Sequence, residues 1–514
     1  MERFSEKIFL QLKMPTEEVP VSDEKRIRFA LQTLGYDPVT IPLQVLRKLY
    51  PLCREVDFDI TATLVRREYD WVITDIESGD TTAHHYGLAV DYGSTTVVME
   101  LVDMNSGAVI DQVKAVNGQT AFGTDILTRI TYAMEDPAHL QHLQQATVQT
   151  FDALISALTE NTGMDASRCP CMILSGNTTM IHFLLKLDAW TVFASPYAPV
   201  VTDPGFYWGR ELGMAFEGLV YMVPAASNYI GGDIVSGLLT LDMHKQAQTS
   251  MFFDIGTNGE LVIGNQDWIV AGTGAAGPAL EGYISRFGMR AAEGAIDTVT
   301  IAGDNLSFTT IGNRKPIGIC GSGIIDLLAQ MRLNGWINIA GELEPGASSR
   351  IQKIEGEYAA VYALAEESAT GQPLYFSQTD IMQYLDTKAA AYTMVECLLE
   401  SAGAGFADLE HLYLSGAFTA HSDLESAITI GIFPDLPRQK YSVIPNSSLD
   451  GARSLLLDRS RLQEAKDLVE NMYCVQFASM PDFLVRMQAA KFIPHTDMTR
   501  YPTIQERLQE RMVK

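Results

Sequence analysis

Over its first 80 residues the chain changes its hydrophobic period. "KRIRFALQTLGY" and "IPLQVLRKLYPLCRE" carry a helical pattern, the second with Pro42 near its start, where proline's missing N–H removes no helical bond. "DITATLVRREYDWVITDIES" alternates apolar and polar residues, which predicts the two strands of a hairpin. The acidic, polar stretch "ESGDTTAHHYG" then breaks the pattern, so residues 1–85 are expected to form a small separate α+β module. From Tyr86 onward, strand-like runs ending in small-residue turns recur: "GLAVDYGSTTVVMELVD", "CMILSGNTTMIHFLL", "SMFFDIGTNGELVIG" and "HLYLSGAFTAHSDLESA". Helical stretches such as "DPAHLQHLQQATVQTFDALISALTEN" and "QTDIMQYLDTKAAAYTMVECLLESAGA" separate them, and strands alternating with helices predict an α/β architecture.

Two of these runs are near copies. "LAVDYGSTTVVMELVD" and "FFDIGTNGELVIG" share an apolar strand, Asp, one apolar residue, Gly, a hydroxyl residue and a second strand, about 160 residues apart. An internal duplication with one such turn per half is the simplest reading, and it divides the rest of the chain into 86–250 and 251–514. A loop that cradles phosphate needs inward-pointing backbone N–H groups and no bulky side chains. Gly93, Ser94, Thr95 and Thr96 in the first copy, and Gly256, Thr257, Asn258 and Gly259 in the second, meet that need. Asp91 and Asp254, at the strand ends, would repel phosphate but can hold Mg²⁺ through its waters, so they are the expected metal-side acids. Two facing hairpins of this kind would grip a triphosphate from both sides. One such loop is an ordinary turn; the pair, in one chain and in order, is what points to phosphate.

Glu260 follows the second loop and Asp233 sits in "YIGGDIV"; either can orient an attacking water as general base, and a capping or surface carboxylate is the competing reading for each. Asn177 in "SGNTTM" follows a strand, where its amide would meet nucleotide or simply close a turn. "GICGSG" resembles a nucleophile elbow around Cys320, but no nearby His is evident, and its glycines suit a helix start that closely approaches nucleotide or backbone. His84 and His85 lie at the module boundary without metal-ligand spacing.

Composition changes the picture only at its edges. The chain has 514 residues, too many for one simple core, and a formal charge of −26, which argues against a nucleic-acid surface. No apolar run nears the roughly 20 residues needed to span a bilayer, and the N-terminus lacks a signal pattern, so a cytoplasmic protein with no membrane partner is expected. Six scattered cysteines, with "CPC" as the one close pair, read as reduced thiols.

The two DxG[ST]-like hairpins plus the late strand–glycine turn "LYLSGAF" resemble the superfamily of acetate and sugar kinases, chaperone ATPases and actin. The likeness goes further. "NGQTAFGTDILTRI", "SGNTTMIHFLL", "SNYIGGDIVSGLL", "GTGAAGPALEGYISRFGMRAAEGAID", "GICGSGIIDLLAQM" and "LSGAFTAHSDLESAITIGIFP", in that order around the two hairpins, resemble the ATP-dependent reductive activators of corrinoid proteins, from about Lys7 to His495. The resemblance implies a duplicated actin-like (ribonuclease H-like) ATPase fold behind a linker- or dimerisation-like module, which admits a homodimer. It implies Mg²⁺ and ATP as cofactors, with Gly416, Ala417 and Phe418 on the adenine side. It implies a corrinoid methyl-carrier protein as partner, brought from inactive Co(II) to Co(I).

The chain also departs from the pattern. Such activators usually begin with a ferredoxin domain whose four cysteines hold a two-iron, two-sulfur cluster. This chain has no C-x₄-C-x₂-C run, so no iron–sulfur cluster is expected in it and the electron would come from an external ferredoxin-like donor. The corrinoid-binding pattern D-x-H-x-x-G is missing as well. Thr419 and Pro445 replace glycines of the family's adenosine side, and a Cβ at either place would crowd base or ribose. Two other classes therefore stay open: a small-molecule kinase of the same fold, and a nucleotide-binding partner protein that does not hydrolyse ATP.

Overall fold

The computed structural model describes residues 2–512 apart from 257–258, 275–283, 417–420, 476, 478–479 and 481. Two compact units emerge, residues 1–242 with 447–471 and residues 243–446 with 472–514. Among the described residues, no helix is long and apolar enough to cross a membrane.

The first unit opens with a four-stranded sheet. Strands β1 (Ser5–Gln11), β2 (Val39–Thr40), β3 (Asp59–Arg66) and β4 (Trp71–Ser78) lie in the order β1-β3-β4-β2. The alternating stretch does form the antiparallel pair β3–β4. The two expected helices are Asp23–Thr33, capped by the Ser22 side chain, and Leu43–Glu55, which kinks at Tyr50 ahead of Pro51. Their buried Ile27, Leu31, Val45 and Leu49 pack with Ile60, Leu64 and Ile73 into a separate small core.

A six-stranded sheet follows, built from β5 (Tyr86–Tyr92), β6 (Thr96–Asp103), β7 (Val109–Val116), β8 (Cys171–Gly176), β9 (Gly205–Trp208) and β10 (Leu219–Met222) in the order β7-β6-β5-β8-β10-β9. The helix Pro137–Thr162 starts on an Asp136 cap with proline in its first turn and ends on left-handed Gly163; its Phe151, Leu154 and Leu158 pack with Leu88, Val90 and Tyr92 of β5. The helix Ser447–Leu457 crosses Gly232–Leu241 so closely that a Cβ on Gly451 would stand 2.1 Å from the Ser236 carbonyl oxygen. Chain order assigns residues 447–471 to the second half of the duplication; they pack instead in the first unit.

The second unit repeats the pattern. Strands β11 (Ser250–Ile255), β12 (Gly259–Gly264), β13 (Ile269–Gly274), β20 (His411–Ser415), β21 (Tyr441–Ile444) and β22 (Met472–Val475) form a sheet ordered β21-β20-β11-β12-β13-β22. Two three-stranded sheets accompany it, one of β14 (Ala295–Ala302), β15 (Asn305–Thr310) and β16 (Gly318–Ile319), the other of β17 (Ile351–Ile354), β18 (Glu357–Ala363) and β19 (Leu374–Ser377). The helices Gly321–Leu333 and Gln378–Ser401 share one large apolar core with this sheet.

The duplication is explicit in the pairing. In the first unit β5–β6 and β6–β7 are antiparallel while β5–β8 and β8–β10 are parallel. In the second, β11–β12 and β12–β13 are antiparallel while β11–β20 and β20–β21 are parallel. The strand that ends in the acidic turn is central in both.

Candidate functional site

The equivalence extends to single residues. Asp91 stands opposite Ser175 in the β5–β8 register, and Asp254 stands opposite Ser415 in the β11–β20 register. Each serine is followed by glycine, in "ILSGN" and "YLSGA". The duplicated unit is thus not one hairpin but a hairpin plus a parallel neighbour ending in Leu-Ser-Gly.

In the first unit, Asp91 is the penultimate residue of β5, and Gly93 to Thr95 turn the chain into β6. Glycine is required here: a Cβ on Gly93 would stand 2.5 Å from the Thr96 carbonyl oxygen. Asn117 pins the turn from both sides. Its backbone N–H donates to Thr95 O at 2.8 Å and its Nδ2 donates to Gly93 O at 2.9 Å. Asn117 is fully buried, and its Oδ1 accepts from Gln119 N–H at 3.0 Å. The Thr95 hydroxyl is buried with no hydrogen-bond partner among the described residues, an orphan that suits a loop awaiting a polar ligand.

Asn177 and Asp233 come together one strand away. Asn177 Oδ1 accepts from Thr179 N–H at 3.0 Å and caps the helix Thr178–Leu184. Asp233 lies in the first turn of the helix Gly232–Leu241, where its Oδ1 accepts from Ile234 N–H at 2.9 Å. A Cβ on Gly231 would be 2.7 Å from Asp233 Oδ1 and 2.8 Å from Asn177 Cα, so glycine alone allows the two turns to meet. Ser448, from the returning helix Ser447–Leu457, donates to Asp91 Oδ1 at 2.8 Å.

In the second unit, Asp254 pairs across β11–β12 with buried Glu260. Gly416, at φ +97°, lies against the same acid: a Cβ there would be 2.3 Å from Ile255 O and 2.9 Å from Asp254 Oδ1. The late glycine turn and the second acidic turn are therefore one structural feature, although about 160 residues separate them in sequence. Around Gly256 the described residues leave room, with Asp254 Oδ1 nearest at 4.0 Å from a built Cβ. Thr257, Asn258, Ala417, Phe418 and Thr419 lie outside the described residues.

The "GICGSG" segment serves packing. Cys320 precedes the helix Gly321–Leu333, is buried, and its thiol donates to Ile296 O at 3.3 Å. Cβ atoms on Gly318 and Gly323 would each stand 2.4 Å from a carbonyl oxygen, of Phe287 and Ile296 respectively. Backbone approach, not a reactive thiol, explains these glycines. Burial also pushes the Cys169 thiol up to about 12, and Cys171 higher still, so neither is a nucleophile.

Sequence reasoning missed Asn117, Ser175 and Ser448. Asn117 and Ser448 were visible only as letters inside longer motifs; Ser175 had a stronger signal in the repeated Leu-Ser-Gly.

Two sheets that share a five-stranded order, β7-β6-β5-β8-β10 and β13-β12-β11-β20-β21, with the sixth strand on opposite edges, each carry a central acidic turn beside a Ser-Gly strand end and define the actin-like ATPase class of fold. The chain belongs to the RACo family: family models described as the RACo linker region, the RACo middle region, and the C-terminal ASKHA domain of RACo match residues 1–83, 86–246 and 248–505. A solved structure of a reductive activator for a corrinoid, iron–sulfur protein is similar at 33% identity and a TM-score of 0.87, covering 98% of this chain and 81% of that one. The corrinoid activation enzyme RamQ of Eubacterium limosum is 29% identical over 423 residues, 80% of this chain and 71% of that protein. A Co(II) methylated amine-specific corrinoid protein reductase of Methanosarcina barkeri is 23% identical over 423 residues, 75% of this chain and 73% of that protein.

Proposed function

We propose that this chain is a cytoplasmic, ATP-dependent activator of a corrinoid methyl-carrier protein, supporting one-electron reduction of inactive Co(II) to Co(I) with an electron from an external ferredoxin-like donor. The likeness along nearly the whole chain to a reductive activator supports the reading most directly. Residues 1–85 then act as the linker-like module and 86–250 and 251–514 as the two halves of the nucleotide machinery, with residues 447–471 lent back to the first.

The residues fit ATP and Mg²⁺. The orphaned Thr95 hydroxyl and the Gly93 turn that excludes a side chain suit phosphate oxygens in the first unit, and the described residues leave room around Gly256 in the second. Asp91 and Asp254 are the acids that would hold Mg²⁺, and the ion would offset the charge of the phosphate oxygens. Backbone N–H groups of residues 93–96, and of Gly256 and Gly259 in the second turn, would donate to the phosphates. Asn117 keeps the first turn in shape for that task. Glu260 or Asp233 accepts a proton from the attacking water, and the Gly416 turn with Ala417 and Phe418 takes the adenine side. ATP and water become ADP and phosphate, while the electron comes from the donor rather than from this chain.

The test mixes the protein with an oxidised corrinoid carrier, a reductant and Mg·ATP, and follows ATP turnover and the Co(I) spectrum together. Carrier-stimulated turnover with ATP-dependent Co(I) is expected. Phosphate transfer to a metabolite with no effect on cobalt would favour a kinase instead.

A further inference from the structure

Three serines stand in line behind Asp91. Ser236 Oγ is 2.8 Å from Ser175 Oγ, Ser175 Oγ is 2.9 Å from Ser448 Oγ, and Ser448 Oγ is 2.8 Å from Asp91 Oδ1. Each comes from a different element: Ser236 from the helix Gly232–Leu241, Ser175 from β8 and Ser448 from the helix Ser447–Leu457. All three are buried, so water does not compete for their hydroxyls.

A hydroxyl has one hydrogen, and a carboxylate oxygen only accepts. Of the two acceptors within reach of the Ser448 hydroxyl, Asp91 Oδ1 and Ser175 Oγ, the charged one forms the stronger bond. Ser175 in turn donates toward Gly232 O at 3.0 Å and Ser236 Oγ at 2.8 Å, which ties the residue beside Ser448 to the turn carrying Asp233.

The backbone sets these positions. The β5–β8 register sets Ser175 beside Asp91. The missing side chain at Gly451 lets the returning helix sit against Ser236, one turn beyond Ser448. Arg453 of the same helix pairs with Glu100 of β6 at 2.8 Å, fixing its rotation. Two contacts of its own helix thus hold Ser448 in place, and its hydroxyl holds one carboxylate oxygen of Asp91.

We infer that Ser448 is a positioning residue for Mg²⁺: its buried hydroxyl, donating to Asp91 Oδ1, fixes the carboxylate in the orientation in which it would meet a metal-bound water. This rests on the reading of Asp91 as a metal-side acid. A carboxylate held in one rotamer binds without first being ordered, which is the general gain of preorganisation.

The test is the ratio of ATP affinities with Mg²⁺ and with EDTA, measured by calorimetry in each variant of the full chain. A ratio within one variant is insensitive to the fraction that folds, which appears in the stoichiometry. Ser448→Ala is expected to shrink the wild-type ratio about tenfold while leaving the EDTA affinity unchanged, the scale of one hydrogen bond to a charged group. Ser448→Thr, which keeps the hydroxyl, is expected to restore most of it. At a fixed ATP level, turnover in Ser448→Ala should recover as Mg²⁺ is raised, a change in KM for the metal rather than in kcat. An Ala variant with the wild-type ratio, alongside an Asp91→Asn variant that has lost it, overturns the inference alone. If Asp91→Asn also keeps the ratio, the metal-side reading of Asp91 fails, and the inference with it.

Discussion

Asp91 and Asp254 occupy equivalent places, at a central strand end opposite a serine, yet their surroundings differ. Asp91 is tied to the Ser448 hydroxyl, whereas Asp254 is crowded by the Gly416 turn. Both are expected to be needed for ATP turnover. Asp91→Asn and Asp254→Asn should each lower kcat about 100-fold or more, the usual scale for losing a preorganised electrostatic contact, while leaving the melting temperature of the ligand-free protein within a few degrees. A steady-state ATPase assay with a thermal melt checks both. Far from the turns, His85 sets a pH response. Ser5 donates its hydrogen to Leu64 O at 2.8 Å, so His85 Nε2 donates to Ser5 Oγ at 3.0 Å. Burial, the largest cause, with Lys7 and Arg3 nearby, holds its pKa down to about 4 from 6.5. The unfolded chain takes up a proton as pH falls through 6.5, and the folded chain does so only near 4. Stability present above pH 6.5 is therefore lost between those values. From pH 7 to 5 the His85 contribution is about 2 kcal/mol. His85→Gln should flatten the fall in urea-unfolding free energy over that range by this amount; an unchanged fall would refute the assignment. Buried His495, also held to about 4, remains in both proteins and cancels from the comparison.

The helix Ser447–Leu457 is the element on which the first unit most depends, because it brings three contacts from late in the chain. Glu100 is nearly fully buried and pairs with Arg453; desolvation raises its pKa and Arg453 opposes that. Arg453→Met should cost about 3 kcal/mol, the lower end for stranding a buried charge, because Arg453 itself keeps part of its surface in water. Adding Glu100→Gln should recover much of the loss, and a double-mutant cycle by chemical denaturation measures it. Gly451→Ala should cost about 1–3 kcal/mol by overpacking against Ser236. This helix also shows what a sequence conceals. The acidic turns were legible because strand, Asp and Gly are neighbours in the chain, and the β3–β4 hairpin because alternation is local. Ser448 lies 357 positions from Asp91, and Asn117 lies 24 from Gly93; nothing in their local pattern states what they meet. β1, "SEKIFLQ", was hidden for a similar reason: its strand character comes from pairing with β3, Ile8 opposite Ala62, rather than from its own alternation. The return of residues 447–471 to the first unit is a tertiary choice made by Gly451 and Arg453, and a division by chain order cannot register it.

At the scale of the whole molecule, two units repeat one five-stranded order, and each supplies one acid, one glycine turn and one Ser-Gly strand end. Duplication explains why single loops are uninformative and the pair is not. In the proposed function this chain supplies the nucleotide step and an external donor the electron. That division of labour is what an absorbance experiment reads most directly. An oxidised corrinoid carrier from a methyltransferase system, a ferredoxin-like reductant and this protein are combined, and the Co(I) band is followed with Mg·ATP, with Mg·ADP and with no nucleotide. The account predicts Co(I) accumulation that requires both this protein and Mg·ATP, falls away with Mg·ADP, and disappears when the reductant is omitted. Co(I) forming at the same rate and extent without nucleotide, or not forming at all while ATP is hydrolysed, would contradict it.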